Sequence, residues 1–419
     1  MPKDQAPSRF LKQASLEEVE GILAKHLAPL PAVELPLPET AGRVLAQDIT
    51  SPLDIPQFDR AAMDGFAVRS VDLEGASESS PVTLQVTGQS LPNQPCAAGL
   101  AGSRAISITT GAPLPSGADA VVKQEDVVKQ EDVEREAGSI VCHASLLVWK
   151  NVSRRGEDLK AGDQLLTTGR VLRPQDLGLL ASIGIAQLSV VKQPRVSILV
   201  TGNEILPQGS KPTGYQVVDS SSVMLRALVA RDGGIAEKPV YVPDHPEAIR
   251  EAMIAATGDI VLVTGGTSVG SEDFAPRVLE ETGVLFVHGV RIRPAHPIGL
   301  GLLQLRPVFL LPGNPFSCLC AYDLVVRLAV QRLGGLACQL PYRRIDAVAG
   351  TTLPGKVGRW DYVRVSLKEG KAFPFSKGAG SGASVLSSSV RADGFVLLSS
   401  AQEDLVEGAP VQVYLYDLT

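Results

Sequence analysis

Nine consecutive residues, Gly265-Gly266-Thr267-Ser268-Val269-Gly270-Ser271-Glu272-Asp273, bring glycine, hydroxyl and carboxylate groups together directly after the aliphatic run Ile260-Val261-Leu262-Val263. Such a run reads as a strand buried on both faces. A glycine-rich turn at its carboxyl end lets backbone N–H groups close around an anion, and the next helix adds its positive end. The chemistry this suits is phosphate binding. Asp273, just ahead of Phe274-Ala275-Pro276, either caps the following helix or reaches a metal ion beside the phosphate. Glu204, in Thr201-Gly202-Asn203-Glu204, and Asp219 also lie near strand ends. With Asp273 they suggest magnesium, which favours one or two carboxylates plus a substrate's phosphate oxygens and polarises a phosphoryl bond for attack. The plainer alternatives are a tight turn for the loop and a cap on the helix near Ser221 for Asp219.

The elements that must hold these residues follow from periodicity. Residues 14–29 have helical spacing and open on Ser15 and Glu18, a capping box. From 51 to 150, short runs rich in Val, Thr, Gly and Pro predict a β-rich module. Within it Val121-Val122-Lys123-Gln124-Glu125-Asp126 is repeated directly at 127–132. An insertion of even length keeps every side chain on its sheet face, so a strand end or hairpin is expected to absorb it. A second helix is expected at 174–183. Residues 195–335 then alternate strands (196–200, 238–242, 260–263, 285–287, 308–311) with helices (221–231, 246–256, 275–282, 315–333). This predicts a doubly wound parallel sheet whose ligands bind beyond the strands' carboxyl ends. Glu204, Gly265-Gly266 and Pro312-Gly313 fall there. Strands at 362–365, 395–398 and 411–414 predict a small terminal β-barrel-like domain. The expected architecture is a multidomain α/β protein. It has an N-terminal helical segment (1–50) packing with 151–190, the β-rich module (51–150), a central doubly wound α/β domain (191–337) and a C-terminal β domain (338–419). The Ser- and Gly-rich stretch 376–389 is either a plain loop or an oxyanion contact.

Composition narrows the function class. The chain has 419 residues, 44% hydrophobic, enough for several cores. No apolar run approaches the roughly 20 residues that span a bilayer, and Met1-Pro2-Lys3-Asp4-Gln5 carries no apolar signal region, so the cytoplasm is the expected compartment. With a net charge of −6 and no basic block, a nucleic-acid partner is not expected, and an anion site must be built locally. The cysteines (Cys96, Cys142, Cys318, Cys320, Cys338) lack zinc spacing, and the histidines are dispersed.

Further segments join the glycine loop: Gln57-Phe58-Asp59-Arg60-Ala61-Ala62-Met63-Asp64-Gly65, Thr110-Gly111-Ala112-Pro113, Arg154-Arg155-Gly156-Glu157-Asp158 and Leu311-Pro312-Gly313-Asn314-Pro315. In type and order they resemble the molybdopterin molybdenumtransferases, the MoeA family that includes the C-terminal domain of gephyrin, from about Leu16 to the C-terminus. The resemblance implies a molybdopterin-binding central domain and insertion of molybdenum into adenylylated molybdopterin with release of AMP. Its substrates would be molybdate and the adenylylated pterin, with Mg2+ as cofactor. It also implies a homodimer whose site joins the central domain of one chain to the β module of the other. A molybdopterin adenylyltransferase and cofactor-accepting proteins are possible partners.

Carried over by motif, the catalytic residues are Asp59, Asp158, Glu204, Asp219 and Asp273, the last three also binding metal, with Asp64 in the same loop as Asp59. The substrate-binding residues are Thr110, Gly265, Gly266, Ser268, Gly270, Arg293, His296, Pro312, Gly313, Pro315, Ser317, Arg364 and Ser384. Taken singly, Asp64 also suits a turn and Asp158 a surface pair with Arg154. The chain departs from the family in three places. Arg293-Pro294-Ala295-His296-Pro297 stands where relatives commonly have Lys-Pro-Gly-Lys-Pro, Ser221 replaces an asparagine, and Ser381 competes with Ser384 for one serine. The alternatives are a molybdopterin adenylyltransferase, against which the Asp59 region and the C-terminal β domain argue, and a gephyrin-like binding scaffold.

Overall fold

The computed structural model of the protein describes residues 13–130, 138–267, 273–375 and 386–416. Its contacts fall into two compact units. One comprises Met1–Ala46, Val171–Arg173 and Leu188–Thr419, the other Gln47–Arg170 and Pro174–Gln187.

The smaller unit is built on a six-stranded sheet, in the order Ala120–Lys123, Gly65–Val68, Arg104–Ile108, Val82–Ser90, Ser139–Cys142 and Val127–Gln130. Only Val82–Ser90 and Arg104–Ile108 pair in parallel. Side-chain alternation buries both faces: Phe66, Val68 and Leu84 in one core, Ala67, Ile106 and Val121 in another. The repeated hexapeptide is divided between two strands, the second of which pairs antiparallel with the next strand, Ser139–Cys142, as the hairpin alternative expected. Its first copy supplies an edge strand and the one-turn helix Gln124–Asp126, and its second supplies Val127–Gln130 at the opposite edge. Glu131 and Asp132 lie outside the described residues. The helix Pro174–Ser182 also belongs to this unit.

The larger unit holds the α/β sheet. Parallel pairing joins Arg195–Thr201 to Ile260–Thr264, and Ile260–Thr264 to Arg306–Leu311. The strand expected at 238–242 is two short pieces, Ile235–Ala236 and Val240–Val242, both parallel to Arg195–Thr201 and separated at Pro239, which has no N–H for the ladder. At the other edge the sheet is antiparallel, against the expectation for 285–287. Val284–His288 pairs with Gly299–Leu303, a strand the sequence pattern did not reveal, and that strand pairs with Arg306–Leu311. The reason is chain length. Only Gln304 and Leu305 join the last two strands, both with positive φ (52° and 67°), and a two-residue link closes an antiparallel hairpin where a parallel pair needs a long crossover.

The helices Ser221–Arg231, Pro246–Ala255 and Ala275–Thr282 flank the sheet. The helix expected at 315–333 is interrupted: Pro315–Ala321 and Arg327–Leu333 are α-helical, and Tyr322–Val326 forms a π turn. That wider turn carries the fully buried Asp323 to Arg231 (2.9 Å) and the Tyr342 hydroxyl (2.8 Å), which satisfy its charge. The helix Leu16–His26 opens on the Ser15–Glu18 capping box and buries Leu16, Val19 and Leu23 in the same core as Val325 and Leu328. Its packing is thus with the central core, whereas residues 42–45 bond to 171–172 and 190–191.

The C-terminal strands close a small barrel. Trp360–Lys368 pairs with both Lys371–Pro374 and Gly394–Leu398, and Arg344–Ala349 and Pro410–Leu415 complete the ring. A short strand, Ile292–Arg293, adds in parallel to its outside and places Arg293 opposite Asp361. Among the described residues no helix is long and apolar enough to cross a membrane.

Candidate functional site

Beyond the carboxyl ends of the parallel strands lies a cavity of about 510 Å³, lined by Glu204, Asp219, Gly265, Gly266, Asp273, Pro312, Gly313 and Pro315 among others. The glycines permit a close approach of two loops. Gly265 has φ +87°, and a Cβ there would come within 2.5 Å of the Thr201 carbonyl oxygen; a Cβ on Gly313 would lie 3.6 Å from Gly265 Cα. Thr267 ties the loops together, its hydroxyl donating to the Leu311 carbonyl (3.0 Å) while its own carbonyl accepts from the buried ring of His288 (3.1 Å). Ser268 and Gly270 lie outside the described residues.

The three carboxylates differ in their partners. Asp219 is buried. It accepts the Ser222 backbone N–H (3.0 Å), the Ser222 hydroxyl and the Tyr241 hydroxyl (3.0 Å), so it both lines the cavity and fixes the first turn of its helix. Burial, reinforced by that carboxylate, pushes the Tyr241 phenol upward. The helix after Asp273 spans Ala275–Thr282 with Phe274 at its N-cap, so Asp273 stands one residue ahead of the cap position. Glu204 is exposed at the rim.

A fourth carboxylate was missed. Asp244 follows the Val240–Val242 strand and exchanges hydrogen bonds with Asn203: its Oδ2 accepts the Asn203 N–H (3.3 Å), and its own N–H donates to Asn203 Oδ1 (3.2 Å). Its Oδ1 is buried without a hydrogen-bond partner. Burial first, then the negative charges of Glu204 and Asp273, push its carboxyl above the usual range, against the Asn203 N–H and the Thr201 hydroxyl, which lower it. An unsatisfied carboxylate oxygen among like charges is a place for a cation. Among the described residues no three histidine, cysteine or carboxylate side chains form a ready-made metal cage. Magnesium does not require one, since it takes one or two carboxylates and completes its shell with water and substrate oxygens. The residues present fit it. The available signal was an Asp at a strand's carboxyl end just before Pro246, overlooked because it sits in no glycine-rich segment.

A second cavity, of about 1090 Å³, adjoins the first and shares Pro297, Pro312 and Asn314 with it. Its lining is basic: Arg291, Arg293, His296, Arg359 and Arg364, with Ser317 and the aromatic Phe316 and Tyr362. The Arg364 guanidinium lies 3.7 Å from the Phe316 ring centroid and bonds Ser388. Asp361, 2% exposed, is set between Arg293 (3.4 Å) and Arg359 (3.2 Å) and accepts the Lys356 N–H (3.1 Å). It anchors two guanidinium groups at the rim. Arg359 and Asp361 were not singled out, although two more charged residues within five positions of Arg364 in Arg359-Trp360-Asp361-Tyr362-Val363-Arg364 were a visible signal. Ser381 and Ser384 lie outside the described residues.

The remaining candidates gather in the smaller unit. Asp64 accepts both the backbone N–H (2.6 Å) and the hydroxyl (2.8 Å) of Thr110, which hold its carboxyl below the usual range. Asp59 accepts the Arg155 N–H (2.7 Å), and Asp158 donates its own N–H to the Ile55 carbonyl (3.0 Å). Arg154, the surface partner considered for Asp158, has its guanidinium 4.7 Å from the Trp149 ring centroid.

Residues 14–184 match the MoeA N-terminal region (domain I and II), 197–332 a probable molybdopterin binding domain, and 346–416 the MoeA C-terminal region (domain IV). The chain is 32% identical over 414 residues to a molybdopterin molybdenumtransferase of Haemophilus influenzae, covering 98% of this chain and 97% of that protein. It is 31% identical over 419 residues to molybdopterin molybdenumtransferase 2 of Mycobacterium tuberculosis, covering 97% and 100%. The crystal structure of a molybdopterin biosynthesis MoeA protein from Pyrococcus horikoshii superposes with a TM-score of 0.83 at 33% identity, covering 97% of this chain and 100% of that one.

Proposed function

The chain belongs to the MoeA family and is a molybdopterin molybdenumtransferase of molybdenum cofactor biosynthesis, and we propose that its two adjoining cavities divide the reaction between them. The observation that carries this reading is their opposite charge. One is rimmed by carboxylates and glycine loops, the other by guanidinium groups, and they meet at Pro297, Pro312 and Asn314. The glycine loops take the phosphates of adenylylated molybdopterin, and one or two of the carboxylates of Glu204, Asp244 and Asp273 would hold Mg2+ beside them, with water and phosphate oxygens completing its shell and Asp219 fixing the wall. Bound Mg2+ supplies charge neutralisation and polarises the phosphoryl bond whose cleavage releases AMP. Arg293, Arg364, His296 and Ser317 hold molybdate next to the pterin, where molybdenum passes to the dithiolene sulfurs. Burial of the Asp361 carboxylate keeps the Arg293 and Arg359 guanidinium groups oriented, so the anion meets donors that need no rearrangement.

We also propose a cytoplasmic homodimer in which Asp59, Asp64, Thr110 and Asp158 of one copy serve the cavities of the other. The support is that the smaller unit, which carries Asp59, leaves Phe58, Met63, Leu147, Val148 and Trp149 exposed. Incubating the protein with adenylylated molybdopterin and Mg2+ tests the activity. Molybdate-dependent AMP release is expected; adenylate formation from ATP would make it an adenylyltransferase instead, and neither would leave a scaffold.

A further inference from the structure

Among the arginines that line the basic cavity, Arg364 rests on an aromatic face. Its guanidinium carbon lies 3.7 Å from the centroid of the Phe316 ring. At that separation the two groups lie flat on each other, because an edge-on guanidinium would put its nitrogens between the carbon and the ring and stand farther off. A planar guanidinium keeps its N–H bonds in its own plane, so a ring on its face directs them to acceptors at its edge. One such acceptor is the Ser388 hydroxyl. The face of the ring also carries partial negative charge and attracts the cation, most strongly where water is excluded. Here it is excluded: Phe316 is 1% and Arg364 7% exposed. Burial works against the charge on Arg364 and pulls its pKa down, and the ring offsets part of that cost. The ring is itself wedged in place. Tyr362 packs edge-on against it, with centroids 5.9 Å apart and planes at 76°, and the Tyr362 hydroxyl is held in turn by Tyr416 (3.1 Å) and the buried Asp323 (3.4 Å). Phe316 belongs to the first turn of Pro315–Ala321, directly after Pro312-Gly313-Asn314, whereas Arg364 lies on the barrel strand Trp360–Lys368. The contact therefore joins the loop that lines both cavities to the barrel.

We propose that Phe316 is a positioning residue for the oxyanion: its ring is the platform that holds the Arg364 guanidinium in the orientation that molybdate meets. The proposal rests on the reading of this cavity as the molybdate site. Without the ring face the guanidinium keeps its charge but is spread over several rotamers, and binding must then order it.

The test is AMP release by the full-length protein over a molybdate titration, with the melting temperature measured for every variant. Phe316→Leu and Phe316→Met keep an apolar side chain but remove the ring face. Each should raise the molybdate KM roughly 5- to 30-fold, the range expected of a desolvated cation–ring contact, with kcat within about twofold of wild type. Arg364→Lys keeps the charge but loses the flat group, so it should raise KM by itself, and adding Phe316→Leu to it should change KM little further. A loss of packing alone would instead lower the folded fraction or kcat at constant KM, and would add in full to Arg364→Lys. A wild-type molybdate KM in the folded Phe316 variants, or full additivity with Arg364→Lys, overturns the proposal. Should neither Phe316 variant fold, a wild-type KM in Arg364→Lys overturns it equally. An unchanged KM in Arg364→Ala overturns the assignment of the cavity to molybdate, and the proposal with it.

Discussion

Asp219 and Asp273 look interchangeable in the sequence, yet their surroundings predict different consequences of losing them. Asp273→Asn is expected to lower AMP release by roughly 100- to 1000-fold with the melting temperature nearly unchanged, because the amide removes charge stabilisation while keeping the side chain's size and its capacity to hydrogen-bond. Asp219→Ala should also unseat Ser222 and Tyr241, at about 1–2 kcal/mol, and lower the melting temperature by roughly 2–3 °C. Calorimetry beside the activity assay separates the two; equal melting temperatures would mean that Asp219 has no structural share. Asp244 gives a pH-dependent prediction. Its folded pKa is raised, so its stabilising contribution is present below the unfolded value near 4 and is lost as pH rises through the folded value. At pH 7 without Mg2+ the ionised carboxylate is a cost, and Asp244→Asn should raise the melting temperature by roughly 1–3 °C, with no gain at pH 3 to 4. Mg2+ should stabilise wild type more than the variant. Equal Mg2+ shifts in both proteins would remove Asp244 from the cation site.

Among the elements, the antiparallel edge rests on a two-residue turn made without its usual residues. Gln304 and Leu305 both adopt positive φ, and Leu305 is 87% exposed, so its side chain gains little from packing. Leu305→Gly is expected to stabilise the protein by about 0.5–1 kcal/mol, read as a shift of the urea midpoint with unchanged slope; a decrease would mean that the turn is held by the leucine. The same absence of Asn-Gly or Gly-Gly kept this hairpin out of the sequence reading. The π turn at Tyr322–Val326 was equally invisible, because its cause is a buried charge, Asp323, whose partners Arg231 and Tyr342 lie far away in the chain.

For the whole molecule, the proposed homodimer makes a quantitative prediction. Asp59→Ala and Asp273→Ala proteins should each be inactive. If each site combines Asp59 of one copy with Asp273 of the other, half the dimers after full exchange are mixed, and each of these carries one intact site of two. About a quarter of wild-type activity should return. Differently tagged proteins report exchange by co-purification. Exchange with no recovered activity would show that Asp59 does not serve the partner's cavity.

The sequence by itself determined where the strand-end loops lie. Continuous aliphatic runs specify buried parallel strands, and a ligand loop at a strand's carboxyl end is local information, so Gly265, Gly266, Glu204 and Pro312-Gly313 were legible, as were the helices beginning at Ser221 and Ala275. The family motifs added Arg293, His296, Ser317 and Arg364, which the structure gathers in one cavity. Only the tertiary structure decided what depends on neighbours distant in sequence. It showed that Asp219 is engaged by Tyr241, that Asp244 stands near the charges of Glu204 and Asp273 with its carboxyl raised by burial, and that Asp361 anchors two arginines through the pairing of Ile292–Arg293 with the barrel. Burial and charge are set by which segments meet, and periodicity along one segment carries no record of that.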